Sequence, residues 1–323
     1  MDECLTNTRV GVIGVGYLGQ YHAEKYAAMD TVDLVGIADI DARRAADIAC
    51  RHKTQAFTDF RELIGRVDAV SIAAPTPLHF EIGAAMLNAG IHVLIEKPIS
   101  TSLKEARTLI DLAESKHVVF QVGHLERFNP AVVAVQDIIT KPMFIESHRL
   151  SIYTGRSTDV SVVLDLMIHD IDLILYFVGS EVQSIHASGA AVVSDHCDIA
   201  NARIEFKTGC VANITASRIS ARNQRKIRLF QKNGYIAVDF SKCEIMHIEQ
   251  THESGEALIP GTKIHQSRFL KGDALEEELR SFVGAIGACR EPVVTGRMGY
   301  QALSLALEVI DQIDETARRF GDL

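Results

Sequence analysis

The chain has 323 residues, 47% of them hydrophobic, and a formal net charge of −9. That length accommodates about two domains, each large enough to bury a core without disulfide or metal staples. The acidic balance argues against broad binding to nucleic acid or anionic membranes, and no apolar run reaches the ~18 residues of a membrane span.

Six cysteines, at 4, 50, 197, 210, 243 and 289, form no CxxC pair and no zinc-ligand spacing. They read as reduced thiols of a reducing compartment. The start, MDECLTNTRVGVIG, is acidic and runs straight into a strand, so it does not read as a signal peptide. A cytoplasmic location is the expectation.

In chain order, RVGVIG leads into a helical stretch from Tyr17, followed by VDLVGIAD, DARRAADIACRH, VDAVSIAAP, HFEIGAAMLNAG, IHVLIEKP, LKEARTLIDLAESK and VVFQVGH. This alternation predicts an α/β domain over 1–122: a parallel sheet with crossover helices on both faces. Where the first strand meets the first helix stands GVGYLG, 14–19, a GxGxxG match in the strand-to-helix context that gives it meaning. Gly14 suits a tight turn, Gly16 a close approach to a pyrophosphate, and Gly19 close helix packing, with Tyr17 and Leu18 completing the loop. The helix N-terminus offers free N–H groups to the phosphates. Asp39 ends the second strand, where a carboxylate accepts ribose hydroxyls and repels a 2′-phosphate, so NAD is expected over NADP. Arg43 and Arg44 lie near enough to blur that preference.

Two more loops fall at strand ends, AAPTPLH (73–79) with Thr76 and His79, and EKPIS (96–100) with Glu96 and Lys97. Lys97 either pairs with Glu96 to cap the strand or is aimed into a site by the extended conformation that Pro98 imposes. In GHLERF, His124 touches substrate or simply ends a strand. Arg127 frames the nicotinamide pocket or pairs with Glu126 or a neighbour.

Residues 123–323 read as an α+β domain. MFIESHRLSIY is a strand and 161–178 a helix, and several extended runs follow, split by short turns such as KTGC and KNGY. An open, mainly antiparallel sheet is expected. One face packs on helices and the other needs cover, which points to a homodimer or homotetramer with sheets packed together. Helical patterns at 273–289 and 297–319 close the chain, the last expected to return to the first domain. The acid-free run RISARNQRKIR (218–228), with Arg218 and Arg222, is either a solvated strand face or a contact for an anionic ligand. His186/His196 and His247/His252 lack companion ligands at regular spacing, so no metal is expected.

The segment LDLMIHDIDLIL (164–175) has eight Leu, Ile or Met among twelve residues, yet carries Asp165, His169 and Asp172. At about 100° per residue these three share one helical stripe. That stripe is either a thin solvated edge or the lining of a cavity, with Asp172 the most readily solvated or structural of the three.

With GVGYLG, AAPTPLH, EKPIS and LDLMIHDID in this order, the chain resembles the glucose–fructose oxidoreductase / inositol dehydrogenase family over essentially its whole length. The resemblance implies a nicotinamide cofactor on the first domain with the EKP lysine, Lys97, beside it. It also implies a D-x-x-x-H helix, Asp165 and His169, whose histidine deprotonates a sugar or polyol hydroxyl. Glycines usual before that aspartate are replaced by Ser161-Val162-Val163. GHLERFNPAV (123–132) and RSTDVSVVLDLMIHDIDL (156–173) narrow the likeness to members that oxidise C3 of UDP-N-acetylglucosamine. Their 3-keto product is transaminated to a 3-amino sugar for lipid A, which implies coupling to a transaminase.

On this reading His169 takes the alcohol proton, Asp165 orients the imidazole or Lys97, and the Lys97 ammonium steadies the developing alkoxide. Arg156 and the 218–228 run are the candidates for the diphosphate of a nucleotide-sugar substrate, Arg149 a remoter one. Inositol or a nucleotide uronate are rival substrates. A dinucleotide sensor without chemistry is the rival class, against which Lys97 and His169 both stand.

Overall fold

Thr8–Ile13 (β1), Val32–Ala38 (β2), Gln55–Phe57 (β3), Ala69–Ile72 (β4), His92–Glu96 (β5) and Phe120–Gly123 (β6) form one sheet in the order β3-β2-β1-β4-β5-β6. Every pairing is parallel. The computed structural model describes residues 7–155, 160–251, 259–270 and 272–320. All four residues of β4 are buried, as befits a strand covered on both faces. Helices Gly19–Ala27 (α1), Ala42–His52 (α2), His79–Asn88 (α3) and Leu103–Lys116 (α4) make the crossovers. Their starts follow from the sequence: Asp41 accepts from Arg43 N and Arg44 N to cap α2, and Ser102 accepts from Glu105 N to cap α4. The strand order reverses between β1 and β4, and in such sheets ligands gather in the crevice beyond the strand ends at that reversal.

The chain divides into two compact units: residues up to Leu125 with Asp273–Tyr300, and Glu126–Gly272 with Gln301 onward. This corrects the expected division at 122/123. The segment that returns to the first unit is Ala274–Gly287 (α7), whose Leu275, Leu279, Phe282 and Val283 join Val10, Tyr26 and Ile37 in its core. The final helix, Gly296–Phe320 (α8), contributes only its first turn there. Gly296 and Gly299 lie so close to Phe120 and Val122 that a Cβ at either would sit 2.6 Å from the neighbouring side chain. Ala302, Leu305, Ala306, Val309 and Ile313 belong to the core of the second unit. An amphipathic stripe announces that a helix covers something without naming what it covers, and both helices carry one.

In the second unit a single turn, Pro130–Val133 (α5), precedes Pro142–Leu150 (β7) and Ile168–Val178 (α6). Then come Val182–Ala190 (β8), Ile199–Phe206 (β9), Val211–Ser217 (β10), Gln224–Gln231 (β11), Gly234–Asp239 (β12), Glu244–Gln250 (β13) and Thr262–Arg268 (β14). Their sheet runs β14-β13-β12-β11-β7-β10-β9-β8, antiparallel except for the β7–β10 pair. The KTG and KNG turns place Gly209 at φ +85° and Asn233 at φ +63°, the left-handed region those residues tolerate. One face of the sheet, with Ile145, Ile214, Leu229 and Val238, packs on α6 and α8. The opposite parity leaves an apolar row in register across six strands, Val211, Phe144, Phe230, Tyr235, Ile248 and Ile264. Phe230 is 36% exposed. Among the described residues no helix is long and apolar enough to cross a membrane.

Candidate active site

Each glycine of the 14–19 loop has a separate steric reason. Gly14 sits at φ +82°, and a Cβ there would lie 2.6 Å from Ala74 N, with no flexible side chain to yield. A Cβ on Gly19 would lie 1.8 Å from Gly14 O, so the loop closes onto α1 only with glycine. Around Gly16 the nearest outside atom is Arg44 Nη1, 3.8 Å from a Cβ position, so the backbone is open on that side. The first turn of α1 has no acidic residue and no side-chain cap, so no carboxylate competes with an anion there, although Gln20 N and Tyr21 N already donate to Gly16 O and Leu18 O. A cleft of about 480 Å³ opens beside them, lined by Gly16, Tyr17, Gln20, Asp41, Arg43 and Arg44 among others. These features fit a dinucleotide. Asp39, 8% exposed, accepts from Val15 N and Asp41 N, both at 2.9 Å, with Arg44 Nη1 3.7 Å away. It therefore ties the glycine loop to the end of β2, and each carboxylate oxygen keeps a further lone pair.

The loops after β4 and β5 are braced from behind. Thr76 opens a tight helical turn, Thr76–Leu78, and is half-buried. His79 is 1% exposed, with Nδ1 2.9 Å from Pro98 O and Nε2 2.8 Å from Ala74 O. Burial holds its imidazole below the ordinary value. This corrects its expected place at a cofactor surface: the ring stands under the loops. Glu96 is likewise turned inward. Its carboxylate meets His22 Nε2 at 3.2 Å and the Lys97 N–H at 3.3 Å, and Gly123 leaves it room, since a Cβ there would sit 3.0 Å from the carboxyl atoms. Lys97 itself is half-buried and joined to Pro98 by a cis peptide bond. His124, at the end of β6, is 1% exposed.

In the second unit the helix bearing Asp165 and His169 starts in an unusual way. Val163–Met167 form a π-helical turn that continues into α6. Such widened turns recur at functional sites, because one extra residue re-aims the side chains around it. Where the resemblance expects glycines, Val162 and Val163 are fully buried and Val162 N donates to Cys197 O at 2.9 Å. Asp165 and His169 are both half-buried, one turn apart.

The other acids of this helix are committed elsewhere. Asp172 takes Arg127 Nε and Nη2 at 2.6 and 2.9 Å, and the guanidinium lies 3.9 Å over the Tyr176 ring. Asp170 takes Arg149 at 2.9 and 3.1 Å, and Glu126 takes the same arginine at 2.7 Å. Burial alone would depress Arg149, yet Asp170 and Glu126 together hold it above the ordinary guanidinium value. Of the two readings of Arg127, the buried ion pair is the observed one, with Asp172 rather than Glu126 as the partner. Asp172 is accordingly structural and not solvated, and Arg149 is removed from the diphosphate candidates.

Arg218 is also corrected. It is 4% exposed, lies 3.7 Å from Asp198 and donates to Val160 O and Cys197 O, buttressing the chain just before the π turn. Arg222 is exposed, and Arg156 lies outside the described residues. Sequence reasoning passed over His22, Asp170 and Asp198. His22 carried one usable signal, an imidazole three residues beyond Gly19 on the inward face of α1.

Residues 8–124 match the model of an oxidoreductase family with an NAD-binding Rossmann fold, and 139–237 match the GFO/IDH/MocA C-terminal domain. Among curated proteins, the UDP-N-acetylglucosamine 3-dehydrogenase of Acidithiobacillus ferrooxidans is 39% identical over 94% of this chain and 97% of that one. The chain belongs to the GFO/IDH/MocA oxidoreductase family. Other members include a myo-inositol 2-dehydrogenase of Thermotoga maritima, 27% identical over 95% of this chain and 96% of that one. A solved structure of the Acidithiobacillus enzyme superposes with a TM-score of 0.91 at 37% identity, covering 96% of this chain and 98% of that one. Levoglucosan dehydrogenase in complex with NADH and levoglucosan shares the fold, with a TM-score of 0.87 at 22% identity over 96% and 98% of the two chains. The cofactor of this family member is NAD.

Proposed function

We propose that the chain oxidises the C3 hydroxyl of UDP-N-acetylglucosamine to the 3-keto sugar. The observation that carries this reading is the likeness, over nearly the full length of both chains, to the Acidithiobacillus enzyme of that name. When bound, NAD supplies the hydride acceptor. The glycine loop, the α1 N-terminus and Asp39 hold its diphosphate and ribose. Lys97 binds the substrate hydroxyl oxygen as ammonium and steadies its developing negative charge. His169 takes the hydroxyl proton, and Asp165 orients the proton carrier. Arg222 and Arg156 serve the diphosphate of the sugar nucleotide. The ketone is passed to a transaminase.

The test is incubation of the full chain with NAD and a panel of UDP-sugars and inositols, following NADH absorbance with an aminotransferase present to trap the ketone. UDP-N-acetylglucosamine should be turned over fastest. Turnover of an inositol alone would replace the substrate assignment with the polyol reading that the Thermotoga relative suggests.

The apolar row on the outer face of the second unit supports a further element of this reading, that two copies pair through their sheets. Phe230→Glu should shift the sedimentation coefficient to that of a smaller species. An unchanged coefficient would remove this face from any assembly.

A further inference from the structure

The segment Glu96–Lys97–Pro98 is held on both sides by imidazoles that face no solvent. From α1, His22, 0% exposed, directs Nε2 at Glu96 Oε1 across 3.2 Å. Its Nδ1 has no hydrogen-bond partner among the described residues, which assigns the ring proton to Nε2, facing the carboxylate. The other Glu96 oxygen accepts the N–H of Lys97. From α3, His79 sets Nδ1 2.9 Å from Pro98 O and Nε2 2.8 Å from Ala74 O; the neutral ring donates to one of these carbonyls, and only the charged ring donates to both. The residues before and after Lys97 thus each lie within hydrogen-bond distance of a different buried ring, and the second ring also reaches the loop after β4.

Space-filling does not account for these rings. An apolar side chain of similar size fills the same volume without the cost of burying ring nitrogens, a cost recovered only where hydrogen bonds are made. Here the ring contacts fall on Glu96 and Pro98, the two residues that flank one lysine, and on Ala74 in the neighbouring loop. We propose that His22 and His79 are positioning residues that fix the backbone of Lys97 and so aim its ammonium. This rests on the role given to Lys97 above.

Hydrogen–deuterium exchange of residues 96–101 in the full chain, with no substrate present, reads the brace without reference to activity. Steady-state kinetics and NAD calorimetry on the same variants read its consequence. His79→Phe should speed exchange in that segment and lower kcat about 10–100-fold, the scale of a misplacement near 1 Å, while NAD affinity changes less than about threefold. His79→Gln, which keeps a donor, should recover part of both losses. Exchange in 96–101 identical to the parent in His79→Phe overturns the proposal. So does a kcat loss of equal size in His79→Phe and His79→Gln without faster exchange. Full turnover by Lys97→Met would remove the role of Lys97 in the chemistry, whereas the exchange comparison would still decide whether the brace exists.

Discussion

The two units hold their candidate site residues in place with different materials. In the first, the site is built from backbone. Three glycines shape the loop at the α1 N-terminus, the loops after β4 and β5 are braced from behind, and side chains such as Asp39, His79 and Glu96 act by gripping main-chain atoms. In the second, the candidate pair Asp165 and His169 rides on a helix steadied by buried charges. Asp170 and Asp172 are each clamped by an arginine, and Arg218 with Asp198 supports the approach to the π turn. Backbone construction constrains residue identity tightly and locally. Construction from paired charges constrains only that partners exist somewhere along the chain.

The largest effect expected concerns chemistry on the second side. His169→Ala should lower turnover by roughly 10²–10⁴ with NAD affinity intact, since that is the usual worth of a positioned acid–base group. Unchanged turnover would leave the π-wound helix without a chemical role. Next, Asp172→Ala strands Arg127 as a buried, unpaired cation and should cost about 3–5 kcal/mol of stability, read by denaturant unfolding. If the loss is below about 1 kcal/mol, the buried pair does not steady this helix and the contrast between the units weakens.

Gly14→Ala breaks the first unit through backbone alone. A non-glycine residue at φ +82° costs about 1–3 kcal/mol, and the Cβ additionally collides with Ala74, so NAD binding by calorimetry should be lost before the fold is. Retained affinity would mean that the loop is more compliant than its packing indicates.

The mildest perturbation is acid. Burial holds His79 and His92 below the ordinary imidazole value, so the folded first unit binds fewer protons than the unfolded chain. Their contribution is present above about pH 6.5 and is lost as pH falls from there through the lower folded values. In the second unit, burial alone would raise Asp198, yet the amides of Val193, Val192 and Ser194 hold it well below the carboxylate range. Its contribution is lost only below about pH 4. Amide exchange across a pH series should therefore rise in the first unit before the second. The reverse order would sink this assignment of the titrating groups.

The same contrast explains what was legible in the sequence. The glycine loop, the strand-ending Asp39 and the EKP segment were readable because sterics or strand geometry demanded those residues at those spacings. Asp165 and His169 were readable as a pair by helical periodicity, and of the two readings of Asp172, solvated or structural, the structural one holds; its partner, Arg127, lies 45 residues away and no local pattern names it. Arg218 looked like a surface cation in a basic run. Its burial follows from the end of β10 passing beneath the loop that Asp198 organises, which no local pattern encodes. The amphipathic stripe of α7 showed that it packs, and only the fold showed where.

That α7 completes the first core has a consequence for how the molecule is made. A ribosome delivers Val10, Tyr26 and Ile37 early and must translate the entire eight-stranded sheet before Leu279 and Phe282 emerge to join them. The nascent nucleotide-binding half therefore waits, one wall short, while the later half is synthesised, and the earliest glycines in the chain serve a core that is among the last to close.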